Sequence, residues 1–313
     1  MTSFEENNNN NILYAAVEGG GTSWLVAICS NSPNNIIERY RVITTTPEQT
    51  LNEIKVWLKQ RRFHSIGIAT FGPVDANPNS KYYGYITSTP KPGWKNTNVL
   101  ELLGVYEFNV PFLFDTDVNA PALAEHIMAN NEHTTSSAYI TVGTGIGVGL
   151  VVNNHTVRGL MHPEAGHIMV GRQEGDTFQG TCPFHGSCVE GMCATGALTA
   201  RKGLSDSSGL ANLTDDDPVW DACAYQLAQL CAQLVYIASP EKIRLGGGVM
   251  NRTCLYPKIR EHLLKIINGY IISPLLTPEG LEEYIQPSRW GSEAGIIGSA
   301  FLAKLALENH QNK

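Results

Sequence analysis

Twice in this chain an apolar run breaks into glycine and threonine and restarts at once as another apolar run. NILYAAVEGGGTSWLVAI sets Glu18 beside Gly20, Gly21 and Thr22, and SAYITVGTGIGVGLVVNN sets Gly143, Thr144 and Gly145 in the same context. The second copy follows the first by about 120 residues, which predicts a duplicated scaffold. Each reads as two strands joined by a tight turn, with glycine where no Cβ is tolerated and backbone amides left bare. Such a turn can close an ordinary hairpin, or it can cradle a phosphate, with the Thr22 hydroxyl assisting. A third cluster, Gly246-Gly247-Gly248, ends the strand-like KIRL; this kind of turn lets a base and ribose lie against backbone.

The intervening chain alternates helix and strand. Thr46, Pro47 and Gln49 form a helix-start pattern, with a capping box, before the apolar Leu51, Ile54, Val56 and Leu58. SIGIATFGPVD then reads as a short buried strand, so the first half carries strands on both sides of a crossover helix. NPNSKYYGYITSTPKPGW is loop-like and aromatic, its tyrosines fit for a ligand or for a core edge. VPFLFDTDVNAPALAEHIMA is a strand running into a helix, with Ala120, Leu123, Ala124 and Met128 on the helix face. Asp117 stands at that junction, where a carboxylate caps a helix or serves as a general base at a strand end; Asn119 and Glu125 are its polar neighbours. Helices are predicted in GALTARKGL, after Asp217-Pro218, over 256–267 and at the C-terminus.

Residues 161–193 gather His167, Cys182, His185 and Cys188, the last three spaced Cys-x2-His-x2-Cys. Imidazole and thiolate at that spacing converge on a tetrahedral zinc ion. A surface loop of reduced cysteines, or a disulfide joining Cys182 and Cys188, is the other reading. Glu164 and Glu190 flank the set, so a metal here would hold two acidic side chains in place.

Composition sets outer limits. The 313 residues suffice for two domains, and a net charge of -7 leaves no basic field for nucleic acid or an anionic membrane. Seven cysteines, with Cys29, Cys223 and Cys231 in apolar or helical settings, point to a reducing compartment. No run approaches membrane-spanning length and the N-terminus lacks signal-peptide features, so a cytoplasmic protein is expected, with residues 5–11 a disordered polar leader.

In order along the chain, VEGGGT, FGPVD, STPKPGW, DTDVNAPALAEH, VGTGIGVG, HPEAGH, CPFHGSCVE, LGGGVM and GSEAGIIGSAFLA closely resemble the motifs of the ROK family of sugar kinases, and within it the zinc-containing bacterial-type fructokinases. The resemblance covers residues 14–307. It implies a two-domain actin/hexokinase-like (ribonuclease H-like) α/β fold, divided into 12–135 and 136–313, with the last helix able to pack back on the first domain, and closure over the substrates excluding water. It implies ATP-dependent phosphorylation of a hexose at its 6-hydroxyl, fructose foremost, with mannose, glucose or an N-acetylhexosamine as alternatives. A DNA-reading repressor of the family is disfavoured, since about a dozen residues before the first strand do not hold a helix-turn-helix domain, and a non-catalytic sugar-binding regulator is the remote alternative, having little reason to keep Asp117 with all three glycine turns.

By the same resemblance Asp117 is the base, while Glu164, His167, Glu190 and Asn119 bind sugar. Gly20, Gly21, Thr22, Gly143, Thr144 and Gly145 hold phosphates, Glu18 holds magnesium through water, and Gly246 and Gly247 line the adenosine site. His167, Cys182, His185 and Cys188 ligate structural zinc, magnesium arrives with ATP, and the assembly is a homodimer. Two positions depart from relatives. Ser23 stands where a lysine is common, shifting phosphate neutralisation toward magnesium. Thr116 replaces the asparagine of glucokinases, which argues against glucose as preferred sugar.

Overall fold

The computed structural model describes residues 11–128 and 134–312; of the expected polar leader, residues 5–10 lie outside the described residues. The chain divides into two compact units, one ending at Asp117 and rejoined from Gly295, the other running Val118–Ala294.

In the first unit β1 (Leu13–Gly19), β2 (Ser23–Ser30) and β3 (Ile36–Ile43) form an antiparallel meander. α1 (Pro47–Lys59) crosses to β4 (Ser65–Thr70), which lies parallel to β1. Thr46 caps α1, its hydroxyl accepting from the Gln49 amide at 3.3 Å. Leu51, Ile54 and Leu58 are buried, each worth about 2 kcal/mol of apolar transfer, while Val56 faces solvent. The aromatic loop contains a small ladder of β5 (Tyr85–Ile86) with β6 (Thr97–Asn98), followed by α2 (Val99–Leu102) and by β7 (Phe112–Thr116), parallel to β4. The sheet order is β3-β2-β1-β4-β7.

The second unit opens with α3 (Asn119–Met128) and repeats the plan with β8 (Ser137–Val142), β9 (Ile146–Val152) and β10 (His155–Thr156) antiparallel. After α4 (Val189–Cys193), α5 (Thr195–Arg201) and α6 (Pro218–Ala238) come β11 (Ile243–Gly246), α7 (Leu255–Ile267), α8 (Gly280–Tyr284) and β12 (Ile285–Pro287). Its order, β10-β9-β8-β11-β12 with β11 parallel to both neighbours, matches the first sheet strand for strand. The duplication expected from the repeated glycine turn is thus present in the topology.

α3 buries Ala120 and Ala124 of the expected apolar face, with Leu123 half-buried, and a second side besides. Ala122, Glu125 and His126 are inside and Met128 is exposed. The cause lies in β9, where Gly149 has no side chain and a Cβ would sit 2.1 Å from the Val118 carbonyl and 2.6 Å from the Ala122 methyl. That close glycine contact brings the Ala122 side of α3 against β9 in addition to the apolar face.

α9 (Ala294–Gln311) covers the first sheet. Ser65 Oγ donates to the Ala303 carbonyl at 2.6 Å, and the helix backbone lies directly over Gly67. A Cβ at Gly67 would fall 1.9 Å from the Ser299 carbonyl oxygen and 2.5 Å from the Ala303 nitrogen. Both are backbone atoms, so relief requires moving the helix. Gly67→Ala should therefore cost about 3 kcal/mol, read as a lowered denaturant midpoint with α-helical content retained; an unchanged midpoint would show that α9 gives way freely.

Candidate active site and His/Cys cluster

The first glycine turn is built by strand pairing. Gly19 pairs with Trp24, and the Gly20 amide closes on the Ser23 carbonyl at 3.1 Å. Gly19 is obligatory, since a Cβ would lie 2.5 Å from Thr70 Oγ1 and 2.7 Å from the Trp24 ring. Gly21 and Thr22 remain exposed, as a phosphate cradle needs. Ser23 Oγ accepts from Arg41 Nε at 3.0 Å, and Lys91, from the aromatic loop, donates to the Gly21 carbonyl. Sequence reading missed Lys91, although it lies within the STPKPGW motif.

Asp117 follows β7 directly, its amide donating to the Thr70 carbonyl at 2.9 Å, and α3 begins two residues later. The neighbouring carboxylate is Glu18, at the end of β1. Glu18 Oε2 is buried and accepts no hydrogen bond among the described residues. Its other oxygen lies where a Cβ at Gly295 would be 2.0 Å away, so the start of α9 must be glycine to admit it. Burial pushes Glu18 up to about 7, with the charge of Asp117 adding to the shift and the Ile296 amide opposing it. Glu18 and Asp117 thus place two acids beside a bare turn.

In the second unit Glu190, in the first turn of α4, accepts from the Ile146 amide at 3.0 Å. Its carboxylate fills the space beside Gly145, where a Cβ would lie 2.7 Å from Oε2. Gly143 is held from the other side, its carbonyl accepting from both the amide and the hydroxyl of Thr195 at 2.8 Å. Glu164 precedes a helical turn at Ala165–His167, its carbonyl accepting from the His167 amide at 3.0 Å and its carboxylate taking His162 Nε2 at 2.8 Å. His162 is buried and was not singled out by spacing. Gly166 packs against Ile146, where a Cβ would stand 1.8 Å from that residue's carbonyl oxygen. Glu164, His167 and Glu190 thus sit around one strand start, and Asn119 is fully buried at the head of α3.

The sulfur and imidazole donors converge. The ligand atoms of His167, Cys182, His185 and Cys188 all lie within 4.8 Å of one another. Cys182 Sγ is 3.8 Å from His167 Nδ1 and 3.6 Å from His185 Nδ1, and Cys188 Sγ is 3.6 Å from His167 Nδ1. Tetrahedral zinc bonds require S···N edges of about 3.6 Å, so the donor set fits that ion. The backbone explains the convergence. Cys182 and Gly186 exchange hydrogen bonds across a tight turn, and Gly180, Gly186 and Gly191 admit strands of chain that any Cβ at 180 or 191 would push apart. Cys182 and Cys188 are free thiols rather than a disulfide, and burial raises the metal-free Cys188 thiol to about 11.

The third turn borders a cavity of ≈ 630 Å³ lined by Thr195, Ser207, Leu210, Gly248, Asn251 and Arg252, among others. This volume suits a nucleoside. Gly248 lines it, whereas Gly246 and Gly247 approach Tyr139 and Val142: a Cβ would lie 2.7 Å from the Tyr139 hydroxyl or 2.4 Å from the Val142 carbonyl. Arg252 braces the wall, bonded to Asp215 at 2.8 Å and lying over Trp220 at 4.8 Å.

Two sheets of one plan, each with a glycine turn and an acid pinned beside it, define the class: a two-unit α/β protein of the hexokinase-like fold. A ROK hexokinase from Thermus thermophilus shares this fold with a TM-score of 0.74 at 23% identity, over 95% of this chain and 100% of that one. The chain belongs to the ROK family, which matches residues 14–306. It is 38% identical to a fructokinase of Pediococcus pentosaceus, over 94% of this chain and 98% of the relative. It is likewise 38% identical to a fructokinase of Lactococcus lactis subsp. cremoris, over 92% and 95%. Among the described residues no helix is long and apolar enough to cross a membrane.

The raised Glu18 gives a pH signature. Its contribution to stability is complete below the ordinary carboxylate value of 4.5 and is lost as pH rises through about 7. Magnesium-free protein should melt at a lower temperature at pH 8 than at pH 5.5, and Glu18→Gln should flatten that difference. Equal slopes for the two proteins would contradict the assignment.

Proposed function

We propose that this protein is an ATP-dependent fructokinase, moving the γ-phosphoryl group of ATP to the 6-hydroxyl of fructose to give fructose 6-phosphate. The observation that carries the reading is the likeness to fructokinases over nearly the whole chain, spanning both glycine turns, Asp117 and the His/Cys cluster. ATP, with its magnesium, and the hexose are the substrates.

In this reading Glu164, Glu190 and His167 hold the sugar hydroxyls, with Asn119 in support, and Asp117 accepts the proton as the sugar oxygen attacks phosphorus. Phosphoryl transfer asks the protein mainly for positioning and for stabilisation of charge on the transferred group. The bare amides of Gly20, Gly21, Gly143 and Gly145, with the Thr22 and Thr144 hydroxyls, supply donors to the phosphates. Glu18 orients the hydrated magnesium that ATP brings. The cavity lined by Gly248 takes adenosine, with Gly246 and Gly247 supporting the turn behind it.

His167, Cys182, His185 and Cys188 would hold one structural zinc. When bound, the ion ties the segment of Glu164 to the segment of Glu190 and makes the buried thiols thiolates. His167 contacts both sulfurs through Nδ1, leaving Nε2 for a sugar hydroxyl. Protein purified without added metal should contain about one zinc per chain, and stripping it should lower both the melting temperature and fructose affinity. No zinc, with full activity in chelator plus excess magnesium, would remove the ion from the account.

The base is tested by Asp117→Asn. Removing a general base lowers rate by roughly 10²- to 10⁴-fold, so kcat should fall at least about a hundredfold while directly measured fructose binding changes less than about tenfold. Across a hexose panel the parent enzyme should show its highest kcat/KM with fructose and a lower one with glucose. Near-normal turnover in the variant would return Asp117 to a purely local role, and a clear preference for glucose would overturn the choice of sugar.

A further inference from the structure

The first glycine turn contains no cation of its own: residues 18–23 read Glu-Gly-Gly-Gly-Thr-Ser. Two acids, Glu18 and Asp117, sit beside it. A triphosphate brought to such a turn meets negative charge unless a cation comes from elsewhere in the fold. Lys91 reaches the turn from about 70 residues away along the chain, its ammonium donating to the Gly21 carbonyl.

The arm carrying Lys91 is built rather than loose. The Lys91 amide donates to Thr89 Oγ1 at 3.2 Å, and the Lys91 carbonyl accepts from the Trp94 amide at 3.2 Å. Trp94 is fully buried, stacks on Trp24 with ring centroids 5.4 Å apart, meets the edge of Phe71 and donates through Nε1 to the Thr45 carbonyl at 2.9 Å. Trp24 is the residue paired with Gly19 across the turn. Pro90 and Pro92 restrict the backbone on either side of Lys91. One aromatic stack therefore sets both the turn and the lysine that faces it.

The hydrogen bond from the Lys91 ammonium to the Gly21 carbonyl is solvent-exposed and easily exchanged, and it occupies one of the three donors. Two remain for phosphate oxygens. Arg41 is differently placed, bonded to the Ser23 hydroxyl. We propose that Lys91 is the cation of the first turn, donating to the transferred γ-phosphoryl group and balancing its charge as the sugar oxygen attacks. The γ-phosphoryl is singled out because the same unit carries Asp117. This assignment rests on the kinase reading and deepens it.

Lys91→Ala and Lys91→Met test it. With stability matched to the parent, kcat should fall about a hundredfold, as for removal of one preorganised donor, while fructose KM changes less than about threefold. Affinity for AMP-PNP should fall by at least about tenfold with ADP affinity unchanged, because only the triphosphate analogue carries the γ group. Lys91→Arg should recover part of the loss, and added ethylamine should partly rescue Lys91→Ala. A lysine that merely tethers the loop would weaken AMP-PNP and ADP equally and show no amine rescue, which would overturn the proposal. The binding comparison requires no turnover: a parent protein that phosphorylates no hexose sinks the kinase reading, whereas an active parent with equal losses for both nucleotides sinks only the role of Lys91.

Discussion

The hydrogen bond from the Ile146 amide to the Glu190 carboxylate is the contact on which the arrangement of the second unit's glycine turn and His/Cys cluster depends. It takes the first amide beyond the glycine turn and fixes it to an acid in the first turn of α4, one residue past Val189 and two past Cys188. The turn, the Glu190 carboxylate and the His/Cys cluster are therefore one object. Gly145 and Gly166 permit it, since a Cβ at either would displace Glu190 or Ile146. A charge-assisted bond of this kind is stronger than a neutral one, and it is partly shielded from water.

The first unit meets the same demand with different means. Its turn is positioned by aromatic packing, Trp24 against Trp94 and Phe71, and its acids come from two parallel strands bridged by β4. β1 ends at Gly19 and β7 at Thr116, both aligned with Thr70, so the residues beside those ends fall at one edge of the sheet. Ligands gather outside the carboxyl ends of parallel strands for this geometric reason. The cost appears at Glu18, whose carboxyl is held up to about 7 by burial next to Asp117. A carboxylate whose proton affinity is raised by burial beside a second acid is a common feature of functional sites.

Much of this was legible in the residues themselves. The duplicated strand-turn-strand plan followed from glycine between apolar runs, because only glycine reverses a chain so tightly. The cap of α1 followed from Thr46 and Pro47, and the convergence of Cys182, His185 and Cys188 from spacing, since both are local arrangements of a few residues. Residue types could not disclose contacts between distant segments. His162 beneath Glu164, Arg41 on Ser23, Lys91 on Gly21 and Gly248 rather than its neighbours at the cavity beside the third turn are products of three-dimensional packing.

Sequence alone determined the two-fold scaffold, the metal-type donor set and, through its motifs, the kinship with sugar kinases. Tertiary structure decided how closely α3 packs on β9, through the single missing side chain at Gly149, and where the last helix belongs, through the bare backbone of Gly67 under Ser299. It also decided the electrostatics of the first turn. Periodicity reports where apolar side chains recur along an element, but the close approach of two backbones, and the burial of one carboxylate beside another, depend on segments that meet only when the chain has folded.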